Sequence, residues 1–207
     1  MRSIVGIFIF LSFICSSKTF AYTPKEGNVS AILGLTKFRT NFGGSSTGAS
    51  APFYTGLGLV AVGDVNDHGS LEIGTFYTDK MYIRETGGKY IAEVTQLVHI
   101  TLGYRHWINS MFSTSMSFFS AYPIGDPEIV HSDFPQNSQI DTSARDSTEY
   151  GFDLAFQGEL WSNDKLALVW DGRFSKSVTP KNNEYADHYG ILVGLRYFIQ
   201  EKQHVLR

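Results

Sequence analysis

Eight charged side chains occupy positions where the chain otherwise alternates apolar with small residues: Glu72, Glu93, Arg105, Asp153, Glu159, Asp171, Arg173 and Arg196. Each falls on the face opposite the apolar one, and His99 shares that face with Glu93 and Arg105. Carboxylates and guanidinium groups gathered in one interior can do acid–base chemistry or simply satisfy one another. A charge taken out of water must be paired, so the alternation predicts a self-neutralising charge network first and a reactive site second. Parity singles out one pair. For Phe156 and Trp170 to share a face, the turn near Ser162 needs an odd number of residues. With three, Asp153 stands directly opposite Arg173, with Asp171 two residues from that Arg on the same face. An Asp153–Arg173 ion pair is therefore expected.

Two other groupings have the right residue types for chemistry. Ser177, Asp187 and His188 are a nucleophile, a carboxylate and a base at the end of two apolar segments, where a lipid-hydrolysing enzyme would need them. No His-x-Ser pairing of the kind shared by lipid A deacylases accompanies them. His131 and Asp133 are two candidate ligands two residues apart, short of a metal site. The chain is thus read with no catalytic, cofactor-binding or metal residues, and as a non-enzyme.

The segments that position these residues all have period two, the side-chain period of a strand. The last of them, 187–199, sets the pattern: Tyr189, Ile191, Val193, Leu195, Tyr197 and Ile199 oppose His188, Gly190, Leu192, Gly194, Arg196 and Phe198. Seven more follow the same rule: 29–38, 53–63, 70–85, 89–107, 111–122, 149–160 and 166–175. One face is mainly apolar, interrupted at Thr75, Gln96 and Thr114; on the other Ser, Gly, Ala and Thr dominate, with the charges above among them. The two segments flanking Thr86-Gly87-Gly88 exceed the roughly 9–11 residues that a tilted membrane-spanning strand needs, so their hairpin should project beyond a bilayer and offer an exposed edge for an added strand. Pro123 to Ser147 reads as a long loop.

Connections after the second, fourth and sixth strands are short, and those after the first, fifth and seventh are longer. Aromatics gather at the strand ends: Tyr104, Trp107, Phe112, Trp161 and Tyr197 near the short turns; Tyr54, Tyr77, Tyr122, Tyr150, Phe174 and Tyr189 near the long ones. Short turns on one side, long loops on the other and two aromatic girdles are the marks of a transmembrane β-barrel with periplasmic termini. The fold class expected is all-β: an eight-stranded antiparallel barrel of up-and-down topology. A soluble lipocalin-like carrier has the same period with its apolar face inward.

Residues 1–21 read as a signal peptide, with Arg2, an apolar run from Ile4 to Ile14, and Thr19-Phe20-Ala21 before the cut. Residues 22–207 are then the barrel. The sole Cys, Cys15, lies in the removed part, so no disulfide framework is expected. Without Arg2 and Lys18, the 17 basic residues become 15 against 20 acidic ones. That balance argues against a nucleic-acid partner.

Across the mature chain the pattern resembles the small outer-membrane barrels of the OmpA and OmpX type. Gly194, Tyr197 and Ile199 match the terminal-strand motif of that family, which implies recognition by the barrel-assembly machinery. Leu192, Ile199 and the tail 200–207 depart from the usual motif. The resemblance implies a monomer in outer-membrane lipid with a structural or surface-interaction role. Residues 123–147 are the expected contact for an extracellular partner. A narrow pore, a lipid-modifying enzyme and a soluble ligand carrier are the rival readings.

Overall fold

The computed structural model describes residues 22–199 other than 44, 46, 136, 137 and 147. The signal-peptide expectation for 1–21, Cys15 and the tail 200–207 lie outside the described residues. In chain order the strands are β1 (Val29–Thr40), β2 (Tyr54–Asn66), β3 (Gly69–Thr86), β4 (Lys89–Trp107) and β5 (Phe112–Pro123). They continue as β6 (Glu128–Ser132), β7 (Glu149–Ser162), β8 (Leu166–Ser177), β9 (Glu184–Tyr185) and β10 (His188–Ile199). Eight of them, all but the short β6 and β9, pair antiparallel with their chain neighbours, and β1 pairs with β10 to close the ring. The fold is an all-β, eight-stranded, up-and-down barrel.

The apolar face is the outer one. Leu33, Leu35, Leu57, Leu59, Leu102, Leu154 and Leu195 are exposed, whereas Ser30, Thr36, Glu72, Thr101 and Arg196 are buried. A soluble carrier needs the reverse. A continuous apolar belt of this kind far exceeds the few hundred Å² that soluble monomers tolerate, and lipid solvates it. Tyr77, Tyr104, Tyr122, Tyr150, Trp161, Phe174, Tyr189 and Tyr197 all point outward. Trp107 does not. It is 3% exposed and lies inside, because it is two residues from inward-facing Arg105 and inherits its parity.

The β7–β8 hairpin departs from the expected register. Ser162 pairs with Ala167, so the connection holds four residues rather than three, an even number that alone would turn one strand inside out. A bulge at Leu160 restores the parity: Glu159 pairs with Val169 and Trp161 with Leu168, leaving Leu160 as the extra residue. The result moves the strands two residues past the expected alignment. Asp153 faces Ser175, and Arg173 faces Ala155.

β3 and β4, with 18 and 19 residues, run on as a hairpin past the other strands. At about 3.4 Å per residue they are roughly 60 Å long, against the roughly 30 Å of a bilayer core. Gly87 and Gly88 close it with φ of 60° and 74°, the left-handed pair that a two-residue hairpin turn requires. Its edges are not free, contrary to expectation. β6 pairs with β4 at Ile91–Val94, and β9 pairs with β3 at Ile83 and Arg84. Segment 123–147 is likewise more than loop: it supplies β6 and a 3-10 turn at Ser143–Arg145.

Candidate functional site

The lumen is filled by side chains from every wall. At its centre, two carboxylates and two guanidinium groups form a closed ring. Arg105 on β4 donates from Nε to Glu72 on β3 at 2.6 Å and from Nη2 to Asp171 on β8 at 2.8 Å. Arg173 donates from Nη2 to the other Glu72 oxygen at 2.7 Å and from Nε to the other Asp171 oxygen at 2.8 Å. Each arginine therefore bridges both acids, and each acid uses both oxygens. Planar guanidinium groups suit this, since their donors diverge in one fixed plane. Arg105 also donates to Ser113 at 2.8 Å, and Arg173 stacks over Phe76 at 4.7 Å.

The ring extends both ways. Towards the short turns, Gln157 donates to Asp171 at 3.2 Å and accepts from Arg196, which pairs with Glu159 at 3.1 Å. Towards the long loops, Asp153 lies 3.6 Å from Arg173 and 3.1 Å from His99 Nε2. The Asp153–Arg173 contact thus exists as a diagonal one, not as the directly opposed pair. Glu93 stands apart, in the upper mouth. It accepts from the Thr142 amide and hydroxyl at 2.8 Å each and pairs with Arg145.

Three interior groups escaped the sequence reading. Lys80 and Tyr82 both donate to Glu149, at 2.6 Å each, in the upper lumen. Their parity with Phe76 was the available signal. At the lower end, Tyr22 folds in beneath the ring and is 8% exposed. It stacks on Phe198 at 5.1 Å and packs against Trp107 at 4.6 Å with the rings tilted by 45°, and its hydroxyl donates to Asp64. No periodicity could reveal this residue, because it precedes the first strand.

The upper mouth is capped. Lys181 donates to Asp141 and to the Thr142 carbonyl at 3.0 Å each, and Glu184 accepts from the Ser143 amide and hydroxyl at 2.9 and 2.7 Å. The pairing raises the Lys181 ammonium's pKa even though its partial burial opposes the charge. Burial likewise pushes the Glu184 carboxyl up, against the pull of its Ser143 and Lys181 donors. The 3-10 turn is thus pinned over the lumen by the segment before β10.

The Ser177, Asp187 and His188 grouping does not assemble as a hydrolytic set. Asp187 is occupied by Lys176 Nζ at 2.6 Å and the Ser177 amide at 3.0 Å. His188 is buried in the lumen, not solvated at the rim, with its ring edge-on to His99 at 5.2 Å and to Phe38 at 5.6 Å. His131 and Asp133 do touch, at 3.0 Å, but His131 also stacks on Tyr90, and no cluster of three potential metal ligands occurs among the described residues. Gly194 faces inward beside Gly34, while Tyr197 and Ile199 face outward.

No protein-family model matches the chain, and no curated protein does. Solved structures do. The outer-membrane protein OprG from Pseudomonas aeruginosa aligns over 86% of this chain and 99% of its own, with 11% identity and a TM-score of 0.53. Ail, the attachment invasion locus protein of Yersinia pestis, aligns over 83% and 99% with 12% identity and a TM-score of 0.49. AlkL, an outer-membrane protein solved in lipid bilayers, aligns over 91% and 97% with 10% identity and a TM-score of 0.43. The OprG match spans the entire barrel of that protein. Together with the outward apolar belt and the closed eight-strand ring, it gives this chain the fold of the small eight-stranded outer-membrane β-barrels.

Proposed function

We propose that this protein is a monomeric, non-enzymatic outer-membrane barrel, exported by residues 1–21 and working at its outer surface in a structural or surface-interaction role. The observation that carries the reading is the contrast between its two spaces. The lumen is filled by paired charges and by packed apolar side chains such as Phe38, Phe76, Leu97, Phe119 and Leu192, and is capped above by Thr142–Arg145, whereas the outer end carries an extended β-platform. That platform is the top of the β3–β4 hairpin widened by β6 and β9. All five β6 residues are exposed, including Ile129 and Val130, and its far edge pairs with nothing among the described residues. An edge of that kind can take an extended peptide from a partner through backbone hydrogen bonds.

A conductance measurement and a deletion test the two halves. In planar bilayers the protein is expected to give no stepwise ion current, since eight strands enclose only enough room for side chains. A steady single-channel current would replace this reading with the pore. Removal of residues 130–142 is expected to leave the heat-modifiable folded band intact while abolishing adhesion or phage adsorption. Unchanged surface phenotypes would remove the partner-binding half.

A further inference from the structure

The lower mouth of the barrel is built around one residue that belongs to no strand. Tyr22 enters between Trp107 and Phe198, and Arg196 lies over its ring at 5.1 Å. Its hydroxyl reaches Asp64, and the Lys25 amide donates to the same carboxylate at 3.0 Å. Asp64 is fixed in turn by Ser70 at 2.6 Å, and Ser70 accepts from the Trp107 indole at 2.8 Å. A flexible leader would gain little from such a socket. The Glu159 carboxylate borders the same socket: Arg196, which lies over the Tyr22 ring, pairs with it at 3.1 Å, and the Tyr22 backbone nitrogen is among the donors that favour its charged form.

That nitrogen is where the sequence places the signal-peptide cut. Before cleavage it is an uncharged amide; hydrolysis of the Ala21–Tyr22 bond leaves a carboxylate on the departing segment and an ammonium on Tyr22. We propose that the periplasmic mouth is a binding site for the chain's own processed N-terminus, in which the Tyr22 ammonium pairs with Glu159 and the tyrosine ring closes the barrel from below. The proposal rests on reading residues 1–21 as a removed signal.

The charges around the ammonium come from several elements. Glu159 on β7 and Asp64 on β2 attract it. Arg196 on β10 opposes it, but Arg196 is itself paired with Glu159 and Gln157. Lys25 is in the leader, and Asp67 and His68 flank it from the β2–β3 turn. Arg105 lies one level deeper, within the ring of pairs. An α-amino group ordinarily titrates near pH 7.7–8.0, and a carboxylate partner raises that value in the folded state. Its contribution to stability is therefore complete below about pH 7.7 and is lost as the pH rises through the folded value.

The test compares the mature chain beginning at Tyr22 with a chain carrying Gly-Ser ahead of it, each refolded into the same phosphatidylcholine vesicles. Denaturant unfolding at pH 7 should show about a tenfold lower folded-to-unfolded ratio for the extended chain, the effect of a one-unit rise in the ammonium's pKa. By pH 10 the two should converge. Glu159→Gln in the Tyr22 chain should remove the advantage at pH 7 and make the extension harmless. Equal stabilities at pH 7 would overturn the proposal, as would a difference that persists unchanged at pH 10, which is the signature of steric disturbance. N-terminal sequencing of the protein from outer membranes checks the premise separately: a start at Tyr22 supports it, and any other start overturns it.

Discussion

Arg173 holds three acids at once, Glu72, Asp171 and Asp153, and is almost wholly removed from solvent. Removing it should therefore cost more than any one of its contacts suggests, because three carboxylates lose a partner in a medium that cannot rehydrate them. Arg173→Met is expected to destabilise the barrel by about 3–5 kcal/mol, measured by denaturant titration in vesicles. Asp153 is a weaker member, 3.6 Å from Arg173 and bonded to His99 instead. A double-mutant cycle between Asp153→Asn and Arg173→Met should return a coupling energy of about 0.5–3 kcal/mol, as for residues in one network. A zero coupling would mean that the Asp153 carboxylate answers to His99 alone. The facing of these residues was legible in the sequence, since strand parity needs no knowledge of partners. Their register was not. It depends on the bulge at Leu160, and the only sign of that was the adjacent outward pair Leu160 and Trp161, which strict alternation forbids.

At the scale of elements, the cap shows what period two cannot convey. Thr142 to Arg145 has no periodicity, and its place is set by contacts forty residues away, with Lys181 and Glu184. Such contacts leave no local trace, so the long connection read as plain loop. The cap's pH response follows from its two buried-side ions. Lys181 is raised above its ordinary value, so its contribution is full below about pH 10.5 and is lost as the pH climbs through the folded value. Glu184 is raised too, which for an acid means the folded form binds a proton more readily than the unfolded one. Acidification from pH 7 through its folded value should thus relieve, not add to, the cost of burying Glu184. Amide exchange at Ser143 and Ala144, corrected for intrinsic rate, is expected to stay protected at pH 5 and to accelerate above pH 11. Lys181→Met should raise exchange already at pH 7, by an amount equivalent to about 1 kcal/mol or less, since the ammonium is partly solvated. Loss of protection at pH 5 with retention at pH 11 would reverse the assignment of these two groups.

For the whole molecule, the decisive property is which solvent each face meets. Leu195 and Val178 are almost equally exposed, at 51% and 58% of their surface. They differ in height. Leu195 lies midway along β10 opposite Leu33 and Leu168, within the apolar belt, whereas Val178 lies just past the end of β8, in the connection towards the cap. In water the two positions would be equivalent, and an added charge at either would be nearly neutral or even helpful. In a bilayer they are not. An arginine at mid-height has to thin the membrane or draw water to itself, at a cost of about 2–4 kcal/mol, whereas near the interface the cost falls to roughly 0–1 kcal/mol. Leu195→Arg should therefore lower the stability of the barrel folded in vesicles by that larger amount, while Val178→Arg leaves it almost unchanged. In detergent micelles, whose thickness adapts around a protruding charge, the gap between the two variants should narrow. Equal effects of the two substitutions in vesicles would place the apolar belt outside the lipid and leave the exterior of this barrel without a solvent suited to it.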